Sequence, residues 1–415
     1  MPRDDAIEIL PGVHWVGAFD PDLRAFDLIL RTANGTSYNA YVVRGEEGVA
    51  VIDTVKENFS DEFFRRLESV CNYDEITAVV INHLEPDHSG ALPELLKRAK
   101  NAEVYLSTRA PLMLKALLKP TDAMPKGFKV VSTGDTVDLG GRTLSFLTTP
   151  FLHWPDTQCT YLGELGILFS GDVFGCHFCD PRLFNDKVGD FRFSFEYYYA
   201  HIMRPFREHV VKALKLIEPL DLSMIAPAHG PILRHGPHDY VRRYRELASH
   251  RLANEAGTEK TLLVFYLSAY GNTRRMAESI RTGAEKVEGV RVSLYDLEGG
   301  DPSIFVDLIE GADGLVLGSP TINGDAVKPI WDLLSSLTAI GVTGKLGAAF
   351  GSFGWSGEAV DMIEHRLKGL KFQVPVPGVK VKLTPTGDEL AQCVELGARL
   401  ASNLMASPQF LAAQT

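Results

Sequence analysis

From residue 261 onward the chain alternates between short apolar runs and helix-patterned stretches. That alternation restricts the fold more than any other feature. The runs "TLLVFYLS", "VRVSLYDL", "GLVLGS", "LGAAFGSFG" and "VKVKL" read as strands, being short, rich in β-branched or aromatic residues and bounded by Gly or polar positions. The stretches that follow them, from "TRRMAESIRTGAEKV" to "GDELAQCVELGARLASNLM", carry helical periodicity. Strand and helix in strict turn make a parallel sheet, because parallel neighbours need a crossover long enough to hold a helix. Residues 261–415 are therefore expected to form a doubly wound parallel sheet, with ligand loops at the strand ends near its switch point.

The first half has a different rhythm. "VHWVG", "NAYVVRG", "VAVID", "TAVVI", "EVYLS", "TLSFLTT" and "GILFS" read as strands, with helical patterns such as "NFSDEFFRRLESV" and "ALPELLKRAK" between some of them. This predicts sheets covered by helices. Two longer helices are expected around residues 197–217 and 238–253. A chain of 415 residues exceeds one ordinary core. The polar "RLANEAGTEK" marks a linker at 251–260, between a first domain at 1–250 and a second at 261–415.

Composition narrows the function. A formal net charge of −11 disfavours nucleic acid or an anionic membrane as a partner. No apolar run approaches the roughly 20 residues that span a bilayer. The acidic start "MPRDDAIEIL" lacks a signal peptide's apolar core. Cys71, Cys159, Cys176, Cys179 and Cys393 are few and scattered, unlike a disulfide framework. The expected compartment is the cytoplasm.

Chemistry concentrates in "INHLEPDHSGAL", between the strand "TAVVI" and a helix. His83, Glu85 and Asp87 alternate, so an extended backbone points them the same way, and Asp87 and His88 then enter the helix together. A solvated loop with Asp87 or Ser89 as a cap is the plainer reading. Three further residues weigh against it. His153 in "TTPFLHWPDT", Asp172 in "ILFSGDVFG" and His229 in "MIAPAHGPI" all sit at strand-to-loop junctions. The remaining candidates His177, His201, His209, His235, His238, His250 and His365 read as ordinary core or surface residues.

The set H-x-E-x-D-H, then His, Asp and His, resembles the metallo-β-lactamase superfold, whose hydrolases carry a second His where this chain has Glu85. A carboxylate there makes the site harder and more anionic, which suits iron as well as zinc. Two ferrous ions balance Glu85, Asp87, Asp172 and one bridging hydroxide. The implied assignment places His83, Glu85 and His153 on one ion, Asp87, His88 and His229 on the other, and Asp172 between them.

In the second half, the loop Ser268, Ala269, Tyr270, Gly271, Asn272 and Thr273 opens a helix and offers hydroxyls and N–H groups to a phosphate. It is neither a dinucleotide fingerprint nor a nucleoside-triphosphate loop. Pro320, Thr321, Ile322, Asn323 and Gly324 follow the third strand. Ser352, Phe353, Gly354, Trp355, Ser356 and Gly357 follow the fourth. Trp355 is able to stack on a flat ring or to serve as a loop anchor. Three such loops resemble those of a flavodoxin, which implies FMN, with its phosphate on the first loop and its ring between the other two.

A metallo-β-lactamase-like αββα sandwich followed by a flavodoxin-like domain resembles the flavodiiron proteins, or A-type flavoproteins. The resemblance spans nearly the whole chain, most specifically "NHLEPDHSGALPEL", "LHWPDT", "FSGDVFG", "APAHG", "GSPTING" and "FGSFGWSGEAV". One departure is "AFDL", with Asp27 where many members carry a His. The resemblance implies reduction of O2 to water, of NO to N2O, or both. It implies a head-to-tail homodimer or dimer of dimers, in which each flavin serves the partner's irons. No Cys-x-x-Cys pair follows the flavodoxin half, so a separate donor such as a rubredoxin is expected. Cys176 and Cys179 form a C-x-x-C that reads as packing. Two competing readings are a dizinc hydrolase with a regulatory flavodoxin domain, and a non-catalytic electron carrier.

Overall fold

The computed structural model describes residues 5–26, 30–119, 127–249, 259–299 and 305–406. The chain divides into two compact units, residues 1–249 and 250–415. Most of the expected linker lies outside the described residues. Among these, no helix is long and apolar enough to cross a membrane.

The first unit holds two facing sheets. The seven-stranded sheet runs Ile7–Leu10, Val13–Trp15, Tyr41–Arg44, Val49–Ile52, Ile76–Val80, Glu103–Ser107 and Phe128–Val131 in spatial order. It begins antiparallel and becomes parallel from Val49–Ile52 onward. The five-stranded sheet runs Thr136–Asp138, Thr143–Thr148, Gln158–Leu162, Ile167–Gly171 and Met224–Pro227. Only its last pair is parallel.

Period-2 alternation explains how these strands pack on both sides. Ala50, Ile52, Ala78 and Val80 face Phe146, Ile167, Phe169 and Ala226 across the sandwich. Their neighbours Val49, Val51 and Val79 turn the other way, against Phe63, Leu67, Leu92, Leu95 and Leu114 of the covering helices. Leu168 and Ile225 meet a second helical layer through Tyr198, Leu214 and Tyr244. Strands buried on both faces read as continuous apolar runs, as "VAVI" does. The result is an αββα sandwich.

One helix differs from expectation. Residues 192–217 are not one helix: an α-helix Arg192–Tyr198 passes through a π-helical turn Tyr199–Met203 and a 3₁₀ turn Arg204–Phe206 before Arg207–Ile217. Pro205 has no N–H to continue the ladder, and its ring excludes the regular i−4 geometry.

The second unit is a five-stranded parallel sheet ordered Val290–Asp296, Lys260–Tyr266, Gly314–Gly318, Leu346–Phe353, Val379–Lys382. This 2-1-3-4-5 order is flavodoxin-like, and the order reverses between the first and third strands in sequence. Helices 328–336 and 358–369 cover one face. Helices Asn272–Ala284 and Gly387–Ala406 cover the other. These two approach backbone to backbone: a Cβ on Gly397 would lie 2.0 Å from the Ile280 carbonyl.

Gly397→Val is therefore expected to destabilise the second unit by about 1–3 kcal/mol. Hydrogen–deuterium exchange checks this, with protection falling in strand Lys260–Tyr266 and holding in strand Ile76–Val80. Equal protection of Lys260–Tyr266 in both proteins contradicts it.

Candidate functional site

The expected metal-binding side chains occupy one edge of the sandwich. His83 and Glu85 follow the strand Ile76–Val80, and Asp87 and His88 lie in the short helix Pro86–Ser89. His153 follows Thr143–Thr148, Asp172 follows Ile167–Gly171, and His229 follows Met224–Pro227.

Buried hydrogen bonds set the course of these loops. Asp53, at a positive φ of 56°, accepts from Asn82 N at 2.7 Å and from Asn82 Nδ2 at 3.1 Å. Thr160 donates to Asn82 Oδ1 at 2.8 Å, which ties the two sheets together at the metal edge. Thr54 N and Oγ1 both donate to the His88 carbonyl. The His153 loop closes through Leu152 N donating to Thr157 Oγ1 at 3.0 Å.

The seven side chains converge in two groups: His83, Glu85, His153 and Asp172, and Asp87, His88 and His229. In the first, Glu85 Oε2 lies 3.0 Å from His83 Nε2 and 2.9 Å from His153 Nε2. Asp172 Oδ2 lies 3.6 Å and 3.4 Å from the same two nitrogens. In the second, Asp87 Oδ2 lies 3.0 Å from His229 Nε2, and Asp87 Oδ1 lies 3.4 Å from His88 Nε2. Here the other oxygen of Asp172 takes part, with Oδ1 at 3.2 Å from His88 Nε2 and 3.6 Å from His229 Nε2. Each Asp172 oxygen thus faces a different group.

These spacings fit cations. Bonds of about 2.0–2.2 Å to nitrogen and oxygen ligands place neighbouring ligand atoms roughly 3.0–3.5 Å apart. Both oxygens of Asp87, both oxygens of Asp172 and both ring nitrogens of His88 are buried without a hydrogen-bond partner. Buried polar atoms are rarely left so, and carboxylates least of all. The mixed imidazole and carboxylate set suits iron or zinc.

Protonation shows the same demand for positive charge. Burial alone would push His83 and His153 down. The neighbouring carboxylates, Asp156, Glu85 and Asp172 beside His83 and Asp172 and Glu85 beside His153, outweigh that and carry each up to about 10. Burial likewise opposes the charge of Asp87, yet the neighbouring His88 and His229 hold it at about 2. Without metal the cluster gathers protons, so a metal entering it must release them.

Supporting groups fix which ring nitrogen points inward. Asp156 lies 3.3 Å from His83 Nδ1 and also accepts from Leu84 N at 2.7 Å. His229 Nδ1 donates to the Ser37 carbonyl at 2.8 Å. Both interactions leave Nε2 toward the cluster. Sequence reasoning passed over these partners. Asp156 was detectable as the acid three residues after His153, whereas Ser37 acts through its backbone and leaves no trace in the sequence.

His177, read as ordinary, lies against the cluster instead, its ring 5.3 Å from that of His229. Burial and the charge of His229 push it down to about 3. Among described residues His201, His209, His235, His238 and His365 lie outside both groups. Asp27 and His250 lie outside the described residues.

In the second unit, Ser268, Ala269 and Tyr270 lead from strand Lys260–Tyr266 into helix Asn272–Ala284, with Gly271 at a φ of 79°. Only a residue without a Cβ reaches that φ freely. Arg274 N donates to Ser268 Oγ at 3.2 Å. Buried Thr273 meets Ser352 at 2.9 Å between hydroxyls, joining the first and third loops. Ala359 N donates to Thr321 Oγ1 at 3.4 Å, tying the second loop to the first turn of the helix that follows the third.

The second loop is a hairpin not foreseen as one. Thr321–Ile322 pairs with Asp325–Ala326 around Asn323 and Gly324, both at positive φ. Asn-Gly is the preferred pair for that turn. Tyr270 and Trp355 are 93% and 79% exposed, so this edge presents flat aromatic surface beside a helix N-terminus. Hydroxyls and N–H groups for a phosphate, and aromatic faces for a ring, fit FMN.

Residues 36–230 match the family described as ODP family beta lactamase, and residues 264–397 match flavodoxin. The chain is 62% identical to a type A flavoprotein of Rhodobacter capsulatus over 96% of this chain and 91% of that protein. It is 36% identical to the anaerobic nitric oxide reductase flavorubredoxin of Aeromonas hydrophila, over 95% of this chain and 79% of the relative. Its structure is similar to rubredoxin oxygen:oxidoreductase from Desulfovibrio gigas. That match has a TM-score of 0.67 and 30% identity, and covers 97% of this chain and 99% of the other.

Asp156→Asn is expected to weaken metal binding about 10–100-fold by releasing the His83 ring. Asp172→Ala is expected to deplete metal at both groups. Metal content after dialysis at graded free-metal concentrations checks both. Parent-like retention in Asp172→Ala contradicts the shared carboxylate.

Proposed function

Because the chain belongs to the type A flavoprotein, or flavodiiron, family, we propose that it reduces O2 to water, NO to N2O, or both. The reading rests above all on Asp172, whose two oxygens face two separate groups of ligand atoms. His83, Glu85 and His153 would hold one iron, Asp87, His88 and His229 the other, and Asp172 would bridge. Bound there, a pair of ferrous ions supplies one electron each and Lewis acidity toward a diatomic gas, while reduced FMN supplies two electrons more. Four electrons take O2 to water, and two couple a pair of NO molecules.

The protein's own contribution is to hold, orient and exclude. Asp156 and the Ser37 carbonyl keep His83 and His229 in the tautomer that offers Nε2. Phe26, Tyr38 and Tyr198 pack around the His229 ring at 5.8, 5.8 and 6.2 Å, and Trp154 packs 5.1 Å from the His83 ring. That aromatic wall limits water around the ligands. Backbone N–H groups from Asn272 onward, with Ser268 and Thr273, would hold the FMN phosphate, and Trp355 and Tyr270 would flank its ring.

Electrons would arrive from a separate redox protein such as a rubredoxin, in keeping with the name of the Desulfovibrio gigas neighbour. A head-to-tail homodimer, alone or paired with another, would bring each flavin to the partner's irons and cover the exposed Trp355. Five free cysteines suit a reducing cytoplasm.

Steady-state gas consumption by iron- and FMN-loaded protein, with reduced rubredoxin as donor, tests this function. Consumption of O2 or NO that needs both iron and FMN is expected. Zinc retained in preference to iron, with no gas consumed, would overturn the proposal in favour of a hydrolase.

A further inference from the structure

One buried side chain beside the cluster has no place in the ligand assignment. His177 is 5% exposed, and its Nδ1 lies 3.2 Å from Thr36 Oγ1. The same hydroxyl is 3.4 Å from Nδ1 of His229. That nitrogen already donates its proton to the Ser37 carbonyl. The Thr36 hydroxyl has two acceptors in reach, the Ser37 carbonyl at 3.3 Å, which already accepts from His229, and Nδ1 of His177 at 3.2 Å; directed at His177, its proton places the ring proton of His177 on Nε2.

Nε2 of His177 is buried and has no hydrogen-bond partner. It belongs to a ring packed against Phe26 at 4.6 Å, Tyr198 at 5.0 Å and His229 at 5.3 Å. An N–H left bare in such a cage costs more than an ordinary hydrogen bond returns. A Phe or Leu would fill an aromatic cage without that cost. A buried imidazole anchored at one nitrogen and bare at the other is arranged to donate to something other than protein, and its ring lies 5.3 Å from that of His229, a member of the second ligand group.

We propose that His177 is a substrate-orienting residue, its Nε2–H donating a hydrogen bond to the O2 or NO molecule, or the water preceding it, on the Asp87, His88 and His229 side of the centre. The inference rests on the function proposed above. Preorganised donors of this kind act without reorientation when charge builds on the ligand.

Infrared spectroscopy of NO bound to the chemically reduced, iron- and FMN-loaded full chain tests the contact without turnover. Steady-state kinetics are measured alongside. His177→Phe is expected to keep the parent's iron and FMN content, shift the N–O stretch, and raise KM for the gas up to about tenfold with a smaller change in kcat. His177→Gln restores an N–H donor and is expected to return the stretch toward the parent's. An unshifted stretch with unchanged KM in His177→Phe overturns the proposal, as does loss of iron from both variants. A parent that binds NO yet reduces neither gas sinks the proposed function and leaves this contact standing. A parent that binds no NO sinks both.

Discussion

A carboxylate buried at the end of a strand, with no hydrogen bond to either oxygen, must be matched by positive charge. Asp172 is that carboxylate, 2% exposed and set between two groups of ligand atoms. Its position follows from the architecture. Strand Ile167–Gly171 lies inside the second sheet, fourth of its five strands, and its C-terminal end opens on the edge to which Ile76–Val80 and Met224–Pro227 deliver their own ligands. Two sheets packed face to face bring these ends together, and the core between them, from Ile52 to Phe169, holds the spacing. Close-packed interiors transmit small displacements, so ligand geometry depends on residues remote from it.

Around that edge the protein invests its polar side chains in holding backbone rather than in surface contacts. The Asp53, Asn82 and Thr160 network is wholly buried and joins both sheets behind the His83 loop. A satisfied buried network of this kind specifies one arrangement, because each unpaired member would be costly. The second unit uses a lighter device. Hydroxyl contacts tie the first loop to the third and the second to the helix after the third, while Tyr270 and Trp355 stay exposed. The contrast fits a buried ion pair on one side and a flat cofactor at a surface on the other.

Much of this was legible in the sequence for two physical reasons. Metal ligation demands particular residue types, and those types recur at strand ends that the apolar runs already mark; the structure places all seven candidates in two adjoining groups. Parallel sheets with helices on both faces leave a plain alternation, so the doubly wound unit was readable from its rhythm. What escaped depends on contacts between distant parts of the chain. His177 gains its meaning from Thr36, 141 positions away, and from the ring of His229. Asp53 acts on Asn82 through an αL backbone that no local pattern announces. The broken helix before Arg207 follows from Pro205, a residue whose effect was local and went unread.

The bridge at Asp172 is best tested by anomalous diffraction at the iron edge on crystals of the iron-loaded protein. Two peaks of similar height, about 3.5–4 Å apart on either side of the Asp172 carboxylate, are expected for a paired site. A single peak, or a pair whose nearer carboxylate is not Asp172, would contradict the reading of this edge as a two-iron centre.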